Sequence, residues 1–148
     1  MKTLSEKLIA QLPYSQPFLF VDEIEEVSDT YIRGNYTFDE SAFFYKGHFK
    51  DTPVTPGVIL TECVAQIGLS TLGIYLLDDA EKVAQAKIAM VGSSIQFYKL
   101  VFPNEKVIVE SNKQYFRFGK LKCSFKMKNT KGELVCEGEL AGMIHNEI

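Results

Sequence analysis

A chain of 148 residues is the size of one domain, and 46% hydrophobic residues are enough for a sizeable core. Charged residues at 24% exclude global disorder. The formal net charge of −3 and a pI near 5.4 argue against a general nucleic-acid binder, which needs a strong basic excess.

The first residues, MKTLSEKLIAQLP, set Leu4, Leu8 and Ile9 at helical spacing and predict a short amphipathic helix ended by Pro13. No long apolar core follows a basic start, so this is not read as a signal peptide. Residues 18–27 and 31–38 are rich in aromatic and β-branched types, and the polar Ser28-Asp29-Thr30 between them predicts a hairpin. A loop over 39–56 carries Gly47, Pro53 and Pro56. A long apolar run from about Val58 to Leu77 follows and predicts one helix. Past Asp78 and Asp79 a polar link leads to four strand-like segments near 86–99, 105–116, 120–130 and 133–144. Their breaks carry turn chemistry at Pro103-Asn104, Gly119-Lys120 and Asn129 to Gly132.

Two strands, one long helix and four strands with short links favour an antiparallel meander that covers the helix. The expected architecture is a single α+β domain over 1–148, a curved antiparallel sheet wrapped around one central hydrophobic helix. The apolar run is also long enough to span a membrane. It holds Thr61, Glu62, Gln66, Ser70 and Thr71, however, and a central carboxylate costs roughly 2.5–3.5 kcal/mol on insertion. The following strands also need a helix to cover, so membrane insertion is not expected.

The three cysteines, Cys63, Cys123 and Cys136, are odd in number and lack CxxC spacing. They read as reduced thiols of a cytoplasmic protein. Cys63 reads as a small buried hydrophobe in preference to a nucleophile.

Glu62 is the lone charge in the apolar run. Burial favours a carboxyl group's neutral, proton-donating form, which makes Glu62 a general-acid candidate. Gln66, four residues on, shares its helix face and can orient it. Glu62 equally fits a carboxylate paired with a base elsewhere or facing a subunit interface. His48 lies in a loop among Phe43, Phe44, Tyr45 and Phe49, and a neutral imidazole can act as a base; a loop histidine can also be purely structural. Pro56-Gly57 opens the helix, where the first N–H groups lack internal partners and favour negative charge. Gly57 is thus either an oxyanion donor or an ordinary loop-to-helix junction.

Taken together, LPYSQPFLFVDEIEEV (12–27) and FFYKGHFKDTPVTPGVILTECVAQ (43–66) resemble the FabZ-type 3-hydroxyacyl-(acyl-carrier-protein) dehydratases of the hot-dog fold. The likeness extends weakly to IQFYKLVFPNEKV and KGELVCEGEL. It implies His48 as the catalytic histidine, Glu62 as the catalytic acid, Gly57 as the thioester-carbonyl donor and Gln66 as the residue that positions the acid. Glu62, where related dehydratase/isomerases usually have Asp, points to the plain dehydratase branch. Phe49, Pro56, Val58, Phe97 and Tyr98, with Gln66, are candidate substrate contacts. Lys46, Lys50, Lys99, Arg117 and Lys120 are candidates for a basic patch that guides an acidic acyl carrier protein, or plain solvated charges.

The resemblance further implies a homodimer or trimer of dimers with the site between subunits, no metal or organic cofactor, and a substrate carried on the phosphopantetheine arm. Departures from the family include Tyr14-Ser15 for His-Arg, Lys50 for a proline, Thr55 for an apolar residue, Lys99-Leu100 for Arg-Pro and Asn104 for glycine. These leave every catalytic group in place; the expected pathway is fatty-acid or a related polyene or lipid biosynthesis, and a specialised dehydratase of an aryl-polyene or other lipid-like pathway is consistent with the departures. The rival readings are a hot-dog acyl thioesterase, or a non-catalytic partner subunit of a heteromeric dehydratase.

Overall fold

The computed structural model describes residues 1–145; residues 146–148 of the expected domain lie outside the described residues. Helix α1 (Leu4–Ala10) starts at Thr3, whose side chain accepts from Glu6 N–H, and buries Leu8. Strands β1 (Glu23–Val27) and β2 (Tyr31–Thr37) form the expected antiparallel hairpin. The strand starts later than the expected residue 18. The Phe18 carbonyl and Phe20 N–H bond the Gln66 side chain and not a neighbouring strand, and Phe20 turns into the core while Phe18 stays exposed.

Helix α2 (Gly57–Leu77) is long and apolar enough to cross a membrane, but 78% of its apolar window is buried inside the molecule. Its middle, Gln66–Thr71, winds as a π-helix, and all six residues are buried. Asp78, in the left-handed region (φ 44°), ends it. The polar link expected next contains a short helix, α3 (Ala80–Gln85), capped by Asp79 accepting from Glu81 and Lys82 N–H. Strands β3 (Lys87–Phe97), β4 (Lys106–Arg117), β5 (Lys120–Asn129) and β6 (Leu134–His145) complete one six-stranded sheet.

The sheet order is β1-β2-β4-β5-β6-β3, and its adjacent pairs are antiparallel. Only β4-β5-β6 runs as the expected meander. Strand β3 crosses over to pair with β6 at the far edge, while β2 pairs with β4. The crossover lets the sheet close around α2, which a flat sequential sheet does not do. Leu121, Cys123, Phe125 and Met127 of β5 alternate with polar residues and pack inward, as the two-residue period requires. They meet Leu60, Cys63, Val64, Ile67, Leu69 and Leu72 of α2 in one core. Bulges in β1, β3, β4 and at the β5–β6 pairing add the local bend that curves the sheet.

Candidate active site

The loop carrying His48 is closed by its own backbone. A 3-10 turn at Phe43–Lys46 leads into it, His48 N–H donates to Phe44 O, and Val54 N–H donates to His48 O at 2.9 Å. The Tyr45 and Thr55 hydroxyls share a buried 2.6 Å bond, and Thr55 N–H donates to Val101 O in the β3–β4 connection. The loop is therefore braced across itself and tied to the β3–β4 connection. His48 Nδ1 lies 2.8 Å from Val54 O. A carbonyl only accepts, so Nδ1 carries the proton and the neutral ring keeps its lone pair on Nε2.

Glu62 sits one turn inside α2 and is partly buried. Gln66 is fully buried, and its amide is committed on every side. Oε1 accepts from Phe20 N–H at 2.7 Å, while Nε2 donates to Phe18 O and to Glu62 Oε2, each at 2.9 Å. Burial pushes the Glu62 carboxyl above its ordinary value, and the Gln66 donor partly opposes that rise by favouring the ionised form. One more turn along the same face, Ser70 Oγ bonds the Tyr14 hydroxyl at 2.7 Å. The Tyr14 phenol is raised, first by burial and in smaller part by the nearby Glu62 charge, against the Ser70 bond. Tyr14 and Ser70 were not among the sequence candidates. Ser70 was legible as the third member of the Glu62, Gln66, Ser70 series at spacing four; Tyr14 was not, because its approach is a tertiary contact.

Gly57 opens α2 behind Pro56. The N–H groups of Ile59 and Leu60 both donate to Pro56 O, so Gly57 and Val58 N–H precede the first internal bond of the helix. The Phe97 ring lies over this point: a β-carbon on Gly57 would sit 3.4 Å from Phe97 Cζ. Pro56 is buried, whereas Phe49, Val58, Phe97 and Tyr98 stay exposed around the helix start and the end of β3. Tyr98 donates its hydroxyl to Glu137 at 2.9 Å. Among the described residues, no hydrogen bond or ion pair joins His48 to Glu62.

The candidate basic residues do not gather in one place. Lys46 and Lys50 flank His48, and Lys99, paired with Glu133 at 3.1 Å, follows β3 at the Gly57 end. Arg117 and Lys120 bracket the β4–β5 turn, both over the Tyr115 ring. Lys120 pairs with Met143, itself opposite Ala89, eight residues and ~26 Å along β3 from Phe97. Cys63, Cys123 and Cys136 are buried free thiols. Burial pushes all three up in pKa, Cys136 to about 12, which disfavours a nucleophilic thiolate.

A FabA-like domain model matches residues 12–142. The chain is 34% identical over 140 residues to the 3-hydroxyacyl-[acyl-carrier-protein] dehydratase FabZ of Caldicellulosiruptor bescii, covering 91% of this chain and 94% of that protein. It is 33% identical over 138 residues to the bifunctional enzyme LpxC/FabZ of Chlorobaculum tepidum; the match covers 90% of this chain but only 28% of that larger protein. Among solved structures, the dehydratase heterocomplex ApeI:P from Xenorhabdus doucetiae superposes with a TM-score of 0.79 at 14% identity, covering 99% of this chain and 94% of that one. A mutant thioesterase PA1618 from Pseudomonas aeruginosa gives 0.66 at 14% identity, covering 97% and 95%. The architecture is the hot-dog fold, which dehydratases and thioesterases share. Within that class, this chain belongs to the FabA-like, FabZ-type 3-hydroxyacyl-[acyl-carrier-protein] dehydratase family.

Proposed function

We propose that this protein dehydrates a 3-hydroxyacyl thioester, carried by acyl carrier protein, to the trans-2-enoyl thioester. The observation that carries this reading is Glu62: a partly buried carboxyl whose pKa is raised by its surroundings, held by a fully buried glutamine, in a chain of the dehydratase family. His48 Nε2 removes a proton from C2 of the substrate. The electron pair forms the C2–C3 double bond through an enolate-like state, whose charge on the thioester oxygen is met by Gly57 N–H and the helix start. Glu62 gives its proton to the 3-hydroxyl, which leaves as water. Proton exchange with solvent then restores neutral His48 and protonated Glu62.

Within one chain His48 bonds Val54 O and Glu62 bonds Gln66, with no bond joining the two, an arrangement compatible with a site completed by His48 of one copy and Glu62 of another. Phe49, Val58, Phe97 and Tyr98 would line the acyl path there, with Pro56 shaping its base and Gln66 holding the acid. Lys46, Lys50, Lys99, Arg117 and Lys120 would guide the carrier protein. The chemistry assigned to these residues uses no resident cofactor or metal, and the buried thiols suit the cytoplasm.

The test is mass spectrometry of a 3-hydroxyacyl-acyl carrier protein incubated with the purified protein, run alongside hydration of the enoyl form. Wild type should interconvert the two by one water, and His48→Ala should lower the rate by at least about 100-fold. Release of free acid would indicate a thioesterase. Inertness alone with activity restored by a second subunit would indicate a heteromeric enzyme. Equal rates for wild type and His48→Ala would sink the assignment.

A further inference from the structure

Tyr14 and Ser70 form a polar pair that the proposed reaction leaves unused. Ser70 lies eight residues beyond Glu62 on α2 and is 3% exposed, and its Oγ lies 2.7 Å from the Tyr14 hydroxyl. Two hydroxyls bring two O–H donors, and the bond between them uses one. Among the described residues neither hydroxyl has a second partner, so one O–H is left over. Burial, the largest cause of the raised Tyr14 pKa, keeps the phenol protonated and able to donate. A leftover donor in a mostly buried place costs stability, and an apolar pair of the same shape would avoid that cost.

The winding of α2 brings this pair into line with the acid. An α-helix turns about 100° per residue, so eight regular residues would carry Ser70 about 80° away from the line of Glu62. The π-helical turn over Gln66–Thr71 is wider and turns less per residue, which returns Ser70 toward that line. Thr71 holds the turn by donating to Gln66 O at 2.7 Å. Glu62, Gln66 and Ser70 therefore follow one another along the helix, and Ser70 stands no more than about 12 Å beyond Glu62 along its axis. Gln66 has no donor to offer there, because its amide is committed to Phe18, Phe20 and Glu62.

We propose that Tyr14 and Ser70 determine specificity: their leftover O–H binds an oxygen at the far end of the acyl group. The preferred substrate is then a 3-hydroxyacyl thioester whose tail ends in a hydroxyl or carbonyl oxygen, and not a plain alkyl chain. This rests on the dehydratase reading, which sets the direction of the chain. With the thioester oxygen at Gly57 and the 3-hydroxyl at Glu62, C1 to C3 runs from the start of α2 toward its end. The tail continues the same way, past Gln66 toward Ser70 and Tyr14, which stays partly exposed. The helix also sets the length, since the tail oxygen has to lie within about 12 Å of the 3-hydroxyl along the axis. A methyl-ended tail of that length leaves the O–H unpaired and is disfavoured for that reason.

The test is a competition. Equal amounts of two 3-hydroxyacyl-acyl carrier proteins of matched length, one tail ending in methyl and the other in hydroxymethyl, are mixed with the protein. Mass spectrometry reads the initial rate of water loss from each, over a series of lengths. Wild type should favour the hydroxymethyl tail by at least about 5-fold at one length and show no preference at shorter ones. Tyr14→Phe and Ser70→Ala should each bring that ratio close to one. The ratio is taken within one sample, so a partly misfolded variant does not distort it. Wild type that dehydrates both series without preference overturns this inference and leaves the dehydratase reading standing. A preference that survives in both variants also overturns it, as do two variants inert toward both tails, which would assign the pair to holding the site together. Wild type that dehydrates neither series fails the dehydratase reading, and this inference falls with it.

Discussion

In the proposed mechanism Glu62 is the acid, and its protonation also sets a measurable part of the stability. Burial raises its folded pKa above the unfolded value. Its contribution to stability is therefore fully present below the unfolded pKa and is lost as pH rises through the raised folded value. Above that window the ionised carboxylate is held at a penalty that a neutral amide avoids. Glu62→Gln should melt higher than wild type near about pH 8, and the difference should shrink as the pH falls below the ordinary glutamate range. Thermal melts across that range test this, and a difference independent of pH would show that Glu62 is not raised. Gln66 could not be exchanged for an apolar residue on the same logic, because its amide also satisfies Phe18 O and Phe20 N–H inside the core.

At the scale of elements, α2 does more than fill the space the sheet wraps. Its π-helical turn is braced by Thr71 donating to Gln66 O at 2.7 Å and by Ser111 of β4 donating to Gly68 O at 2.9 Å. Gly68 is what admits Ser111: a β-carbon there would lie 2.9 Å from Ser111 Cβ. Gly68→Ala should therefore lower the free energy of unfolding by about 1–3 kcal/mol through overpacking, as read by urea titration. Gly47→Ala is the matched control, since nothing lies within 4 Å of its added carbon. If both variants unfold like wild type, the close helix–sheet contact at Gly68 is wrong. The His48 loop is an element in its own right, locked by the Tyr45–Thr55 bond. Thr55 departs from the family's apolar residue, and the departure is matched by the buried hydroxyl it meets.

At the scale of the whole molecule, the sheet has two free edges among the described residues, and they differ in kind. Strand β1 is five residues long, broken by a bulge, and carries Glu23, Glu25 and Glu26, all features that discourage further pairing. Strand β3 is 11 residues long, has no charged residue from Ile88 to Phe97, and is exposed over Met90–Ser94. A second copy pairing there would cover an edge that is otherwise an aggregation hazard. Sedimentation should give at least a dimer of the 16.7 kDa chain, and Val91→Lys should shift it toward monomer with loss of dehydration. A monomeric wild type that still turns over substrate would sink the shared-site arrangement.

Local physics made much of this legible from sequence. The apolar run predicted α2, the two-residue alternation and turn residues predicted the last four strands to within a few positions, and spacing of four put Glu62 beside Gln66. Each depends on neighbours a few residues apart. The start of β1, the helix within 80–85, the pairing of β3 with β6 and the approach of Tyr14 to Ser70 depend on which surfaces meet after the sheet closes. So does the separation of Arg117 and Lys120 from Lys46, Lys50 and Lys99. Sequence alone determined the central helix, the last four strands and the Glu62, Gln66, His48 and Gly57 candidates for chemistry. Only the tertiary structure decided which of those groups share an end of the molecule, because that follows from wrapping a sheet around a helix, and wrapping brings together residues that are far apart along the chain.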